Sequence, residues 1–223
     1  VYKRQFTPSE DTAQRLARYF PDVKFAVRPH QEPAETIERL AQERQKSDVL
    51  QVLTIGAIAP HKGSHVLLEC AEDARARNLP IHFTVIGYTD IDWKLKRLPN
   101  VTVTGPYKGH DAMEAELRKG TFHLVFIPAV WPETYNYTLS EALRYGFFPV
   151  AFDIGAVAER IKRMEFGLLL PLEQYKQPAA INDALLTCDP KSAPSGLLQE
   201  YIAQYETYVA DYYELDVCHP GLT

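Results

Sequence analysis

The chain has 223 residues, 46% hydrophobic and 24% charged, with 24 Lys+Arg against 29 Asp+Glu for a formal net charge of -5. That is the composition of a soluble globular protein, and the length suits one large domain or one ordinary domain with appendages. No dense Lys/Arg run points to a nucleic-acid partner, and no apolar run approaches the roughly 18 residues of a membrane helix.

In chain order, Ser9 has the side chain of a helix N-cap, since its hydroxyl can accept from the first orphan N–H groups. Leu16, Ala17 and Phe20 follow at helical spacing, and Pro21 stops the helix. Val23–Val27 then alternates like a strand. Gln31–Asp48 is polar and charged and reads as a connector, with a surface helix expected over Thr36–Lys46. The chain opens on Val1 rather than Met, as a segment of a longer polypeptide would.

From Val49 the pattern is regular. Mainly apolar runs recur at Val49–Ile55, Ile81–Ile86, Val101–Val103, Phe122–Ile127, Phe148–Phe152 and Leu168–Leu170. Helical patterns lie between or after them at Ser64–Arg77, His110–Lys119, Tyr137–Tyr145, Gly155–Arg163 and Gln177–Leu186. Near-continuous apolar strands are strands covered on both faces, and their alternation with helices predicts an α/β, Rossmann-like, doubly wound parallel sheet over residues 49–190. Gly196–Leu215 carries Leu198, Tyr201, Ile202, Tyr205, Tyr208, Val209 and Tyr212 on one face, so residues 191–223 read as an amphipathic helix and tail. Cys70, Cys188 and Cys218 stand far apart with no CxxC pair, which argues against a zinc site or a disulfide framework. With no signal peptide in the sequence, reduced thiols in the cytoplasm are expected.

Ligands of a doubly wound sheet bind at the carboxyl ends of its strands. After Ile55 comes Gly56-Ala57-Ile58-Ala59-Pro60-His61-Lys62-Gly63-Ser64, a glycine-containing turn into a helix. Such a turn offers N–H groups and the positive end of the dipole to phosphate oxygens, and Lys62 and His61 add a charge and a donor. The stretch is neither a Walker A loop nor GxGxxG, and taken alone it reads first as a plain turn with a solvated lysine. After Ile127 comes Pro128-Ala129-Val130-Trp131-Pro132-Glu133-Thr134-Tyr135-Asn136-Tyr137-Thr138-Leu139-Ser140-Glu141. Glu133 in the loop and Glu141 in the first helical turn could face one cavity, where carboxylates accept from sugar hydroxyls. Amides near Tyr137 and Thr138 would meet a diphosphate between them. Thr138-Leu139-Ser140-Glu141 is also a capping box, so Glu141 carries two readings.

In this order the segments resemble the C-terminal domain of the retaining glycosyltransferase family 4 (group 1), one half of a GT-B architecture. The resemblance runs from about Pro29 to about Pro171, more weakly over Phe6–Val27, and rests on Ile55-Gly56…Lys62-Gly63, Val85-Ile86-Gly87, Val103-Thr104-Gly105, the EX7E pair Glu133…Glu141, and Phe152-Asp153-Ile154-Gly155-Ala156. It implies that Glu133 contacts the donor sugar, Glu141 binds the ribose hydroxyls and Lys62 supports the diphosphate, with Asn136, Tyr137 and Thr138 completing that cradle. Gly87, Tyr88 and Gly105 would border the base, and Gly56, His61 and Gly63 would shape the lysine loop. It further implies sugar transfer from a nucleotide diphosphate donor with retention, in polysaccharide or glycoconjugate synthesis, without metal or other cofactor. Glu133 and Glu141 would not act as the acid–base pair of a hydrolase. An acceptor-binding N-terminal domain would be the partner and the only route to a membrane surface, with residues 1–30 its remnant or the linker to it. The isolated chain is then expected to be inactive. Two departures stand out: Ala57 where many members have arginine, and Asn136 where many have glycine. A non-catalytic nucleotide-sugar-binding domain, a nucleotide-sugar epimerase of similar fold, and a doubly wound domain with an unrelated ligand are the alternatives.

Overall fold

A computed structural model describes residues 5–30, 39–45, 48–190, 193–194, 196–197 and 200. The chain begins with β1 (Gln5–Thr7), α1 (Glu10–Ala17) and β2 (Phe25–Val27), whose strands pair in parallel as a small sheet of their own. Ser9 caps α1 as its sequence predicts, in extended backbone, with its side chain accepting from Thr12 N. The second strand is shorter than Val23–Val27 because Phe25 is where pairing with Gln5 starts.

The main body is β3 (Leu50–Ile58), α2 (Ser64–Ala76), β4 (Ile81–Thr89), α3 (Asp92–Leu95), β5 (Val101–Val103), α4 (His110–Leu117), β6 (Leu124–Ile127), α5 (Tyr137–Arg144), β7 (Phe148–Phe152), α6 (Gly155–Met164), β8 (Leu168–Leu170) and α7 (Pro178–Thr187). Six parallel strands form one sheet in the order β5-β4-β3-β6-β7-β8. Alternate side chains of each strand enter two cores, as the two-residue period requires. On one face Leu50, Val52, Phe83, Val85 and Phe126 pack against α2 and α7 through Leu67, Cys70, Ile181 and Leu185. On the other Leu53, Ile55, Ile86, Val125 and Ala151 meet α4, α5 and α6 through Met113, Leu139, Leu143 and Ile161. This three-layer arrangement is the doubly wound architecture expected from the pattern. The chain leaves β3 in one direction and β6 in the other, so a crevice opens between their carboxyl ends.

The expected surface helix over Thr36–Lys46 is not formed in its described part, residues 39–45. That segment spends its amides elsewhere: Leu40 N and Ala41 N donate to Tyr145 O at 3.0 and 3.1 Å, and Gln42 N donates to Phe122 O at 3.2 Å. Leu40 and Ala41 also pack against the second core, so tertiary pairing outweighs helix propensity there. The first unit rests on α6, where the Glu159 carboxylate accepts from Glu10 N at 3.2 Å and Asp11 N at 2.8 Å. The long amphipathic helix expected from Gly196 onward lies outside the described residues apart from Gly196, Leu197 and Glu200.

Candidate functional site

Three glycines line up at the carboxyl edge of the sheet. Gly56 on β3 pairs in register with Gly87 on β4, and Gly105 N, just beyond β5, donates to Gly87 O at 2.9 Å. Gly87 lies at φ 132, and a Cβ there would sit 2.0 Å from Gly56 O, so no larger residue fits at Gly87 without moving backbone. Tyr88 follows Gly87, pairs in register with Ala57 and is exposed.

Beyond β3 the chain makes a short 3-10 turn, Pro60–Lys62, and enters α2 through Gly63 at φ 83. A Cβ on Gly63 would stand 2.0 Å from Pro128 O, and Val130 N donates to His61 O at 3.1 Å. The turn bearing Lys62 and the loop after β6 are therefore clamped together backbone to backbone. Between them lies a recess, open to solvent, whose lining includes Thr54, Lys62, Pro128, Glu133, Asn136 and Thr138. Glu133 reaches it with a buried Oε1 that has no hydrogen-bond partner within the protein. A buried carboxylate oxygen left unpaired is costly, and at a cleft it is open to a donor from water or a ligand.

Asn136 starts α5 at φ 75 and ψ 95, and its side chain accepts from Leu139 N at 2.7 Å. This corrects the expected capping box. The cap is Asn136, Thr138 Oγ1 donates to Ile55 O at 3.3 Å, and Glu141 falls in the second helical turn rather than the first. Glu141 instead faces Arg144, whose Nη1 donates to Oε1 at 3.0 Å, and His110, whose Nδ1 lies 3.6 Å from Oε2. The His110 ring stacks on Tyr145, whose hydroxyl donates to Glu114 Oε2 at 3.1 Å. Burial first, and then Glu114, raise the Tyr145 hydroxyl above its ordinary pKa. Burial and the nearby Glu141 carboxylate do the same to Tyr107. Lys62, Glu133, Asn136 and Thr138 thus share one recess, while Glu141, Tyr88 and Gly105 lie outside its lining. Tyr137 is exposed beside it, stacked on His30 from the segment after β2.

One residue was absent from the sequence reading. Arg160 on α6 is completely buried, and it donates from Nη1 to the carbonyls of Tyr135 and Asn136 at 3.3 and 3.0 Å and from Nη2 to Ser140 Oγ at 2.9 Å. Its guanidinium carbon also lies 4.3 Å from the centre of the Tyr135 ring. The available signal was its place on the apolar stripe Val157, Ile161, Met164, where a charge is out of pattern.

Residues 50–188 match the family model described as glycosyl transferases group 1. The chain belongs to this family. No curated protein matches it significantly. Among solved structures it is similar to a sucrose-phosphate synthase from Thermosynechococcus elongatus, at TM-score 0.62 and 15% identity, covering 95% of this chain and 56% of that one. A glycosyltransferase involved in avilamycin A biosynthesis gives TM-score 0.60 and 18% identity over 96% of this chain and 64% of that one. Anabaena HepE in complex with UDP gives 0.56 and 16% over 90% and 58%. The group 1 chain described here therefore spans between about half and two thirds of the length of these three structures.

Proposed function

We propose that this group 1 glycosyltransferase chain binds a nucleoside-diphosphate sugar in the recess between the β3 and β6 loops. It would be the donor half of an enzyme that transfers the sugar with retention, as in family 4, in polysaccharide or glycoconjugate synthesis in the cytoplasm. The observation that carries this reading is the convergence of Lys62, Asn136 and Thr138 with the unpartnered Oε1 of Glu133 in one recess at the switch point of the sheet. Anionic diphosphate oxygens would lie against Lys62 and the first-turn amides of α2 and α5, with no metal cofactor assigned. These groups act where negative charge accumulates on the leaving diphosphate. Glu133 would accept from a sugar hydroxyl and Glu141 from the ribose, while Gly87, Tyr88 and Gly105 border the base. HepE, solved with UDP and with UDP-glucose, has this fold and supports the assignment of ligand class.

The test is a thermal-shift and calorimetric screen of the chain against UDP, GDP and ADP and their sugars, because a ligand of the folded state raises the melting temperature by mass action. One diphosphate series is expected to stabilise the chain, and Lys62→Ala to weaken that diphosphate at least tenfold while sparing the bare nucleoside, as loss of about 1.5–3 kcal/mol from a charged hydrogen bond requires. Absence of stabilisation by every nucleotide, or equal affinity in Lys62→Ala, overturns the reading.

A further inference from the structure

We propose that Arg160 is a positioning residue of the diphosphate site, fixing the Tyr135–Asn136 turn so that the first amides of α5 are aimed at the phosphates; this rests on the donor-binding reading above. Asn136 holds a backbone conformation, φ 75 and ψ 95, that an L residue adopts only under constraint. The residues that hold it are visible. Arg160 Nη1 spans the carbonyls on both sides of the Tyr135–Asn136 junction, and Nη2 reaches Ser140 Oγ within α5. One guanidinium therefore ties the loop just before the helix to the helix's own first turns. Its planar fork makes several directed bonds at once, which a lysine ammonium at the same place cannot reproduce. The ring of Tyr135, 2% exposed, closes over the guanidinium carbon at 4.3 Å and keeps water from competing for those carbonyls.

Two further contacts set the direction of the turn. Asn136 Oδ1 takes Leu139 N, and Thr138 Oγ1 is anchored on Ile55 O of β3. Of these three tethers, only Arg160 acts on the carbonyl side of the turn. Glycine adopts positive φ without such help. Arg160 is the compensation that lets asparagine stand there.

The experiment compares wild type, Arg160→Met and the double variant Arg160→Met/Asn136→Gly for affinity toward UDP and uridine, or GDP and guanosine if those are the binders. Arg160→Met is expected to weaken the diphosphate on the order of tenfold, as loss of charged hydrogen bonds does, with nucleoside affinity unchanged. Asn136→Gly restores most of that loss, because glycine takes the turn without the tether. Arg160→Lys replaces Arg160→Met should the latter not fold. A residue of merely structural importance would lower both affinities together and would not be rescued. An unchanged diphosphate-to-nucleoside ratio, or no rescue by Asn136→Gly, overturns the proposal. Amide hydrogen exchange of the unliganded chain is a separate arm. Leu139, whose N–H is held by Asn136 Oδ1, should exchange faster in Arg160→Met while the sheet amides keep their rates, and an unchanged rate at Leu139 sinks Arg160's part even if no nucleotide binds the wild type.

Discussion

Gly155 shows how little room the site residues have. It opens α6 at φ 67, and a Cβ there would come within 2.7 Å of Pro132 Cα and 2.9 Å of Glu133 N. Ala156 N donates to Glu133 O at 3.0 Å, so the same contact fixes the carboxylate-bearing loop. Gly155→Ala is expected to cost more than about 1 kcal/mol, the scale of an incompatible substitution at positive φ, and to weaken nucleotide-sugar binding as Glu133 shifts; chemical denaturation and calorimetry read the two effects. Glu141 presents a different case. Its partner Arg144 has a side chain only 5% exposed, so the pair is largely removed from water. Glu141→Ala should lose about 1.5–3 kcal/mol of stability, typical of a hydrogen bond to a charged group. If Glu141 also binds ribose, nucleotide affinity falls well beyond what the unfolded fraction explains, and calorimetry on the folded protein separates the two.

Among the elements, β3 and β6 matter most because the site lies where they part. They are joined low in the sheet by His123, whose Nδ1 accepts from Gln51 N at 2.9 Å and whose backbone N–H donates to Gln51 O at 3.0 Å. Burial lowers the His123 pKa, and His82 on β4 is lowered for the same reason. The unfolded chain therefore binds more protons than the folded one in the window below the free histidine value of about 6.5. Stability is whole above that value and is lost as pH falls through the depressed folded pKa. Denaturant midpoints should drop as pH falls below about 6.5, and His123→Asn should flatten part of that slope. Helix α6 is the other element of consequence, since its adjacent residues face opposite ways. Glu159 holds the amides that begin α1, and Arg160 holds the loop that begins α5.

At the scale of the molecule, the described chain is one doubly wound sheet with a small parallel unit resting on α6. In a two-domain transferase the acceptor must be delivered to the sugar from outside such a sheet. The purified chain is accordingly expected to bind donor and to show no sugar transfer when an acceptor is supplied, measured as release of nucleoside diphosphate above the hydrolysis background. Robust turnover by the chain alone would overturn that division of labour.

The strands at Val101–Val103, Phe148–Phe152 and Leu168–Leu170 lie where their apolar runs predict, and the five longer helices after Val49 begin within a residue of theirs. Such features are legible because hydrophobic period and turn chemistry are properties of neighbouring residues. The glycine turns, the Lys62 loop and the pair Glu133 and Glu141 were likewise readable as residues and spacings. What only the tertiary structure decided is who meets whom. Asn136, not Thr138, caps α5 because Thr138 is drawn to Ile55 O, 83 residues away along the chain. Residues 39–45 stay out of a helix because Tyr145 O and Phe122 O accept their amides. Arg160 went unseen because its three acceptors become neighbours only once α6 has packed beside α5. The sequence carried the candidate site residues and their order; the fold alone determined that Lys62 and Glu133 share a recess while Glu141 lies against His110. Contacts of that kind depend on chain closure over long separations, which no local period records.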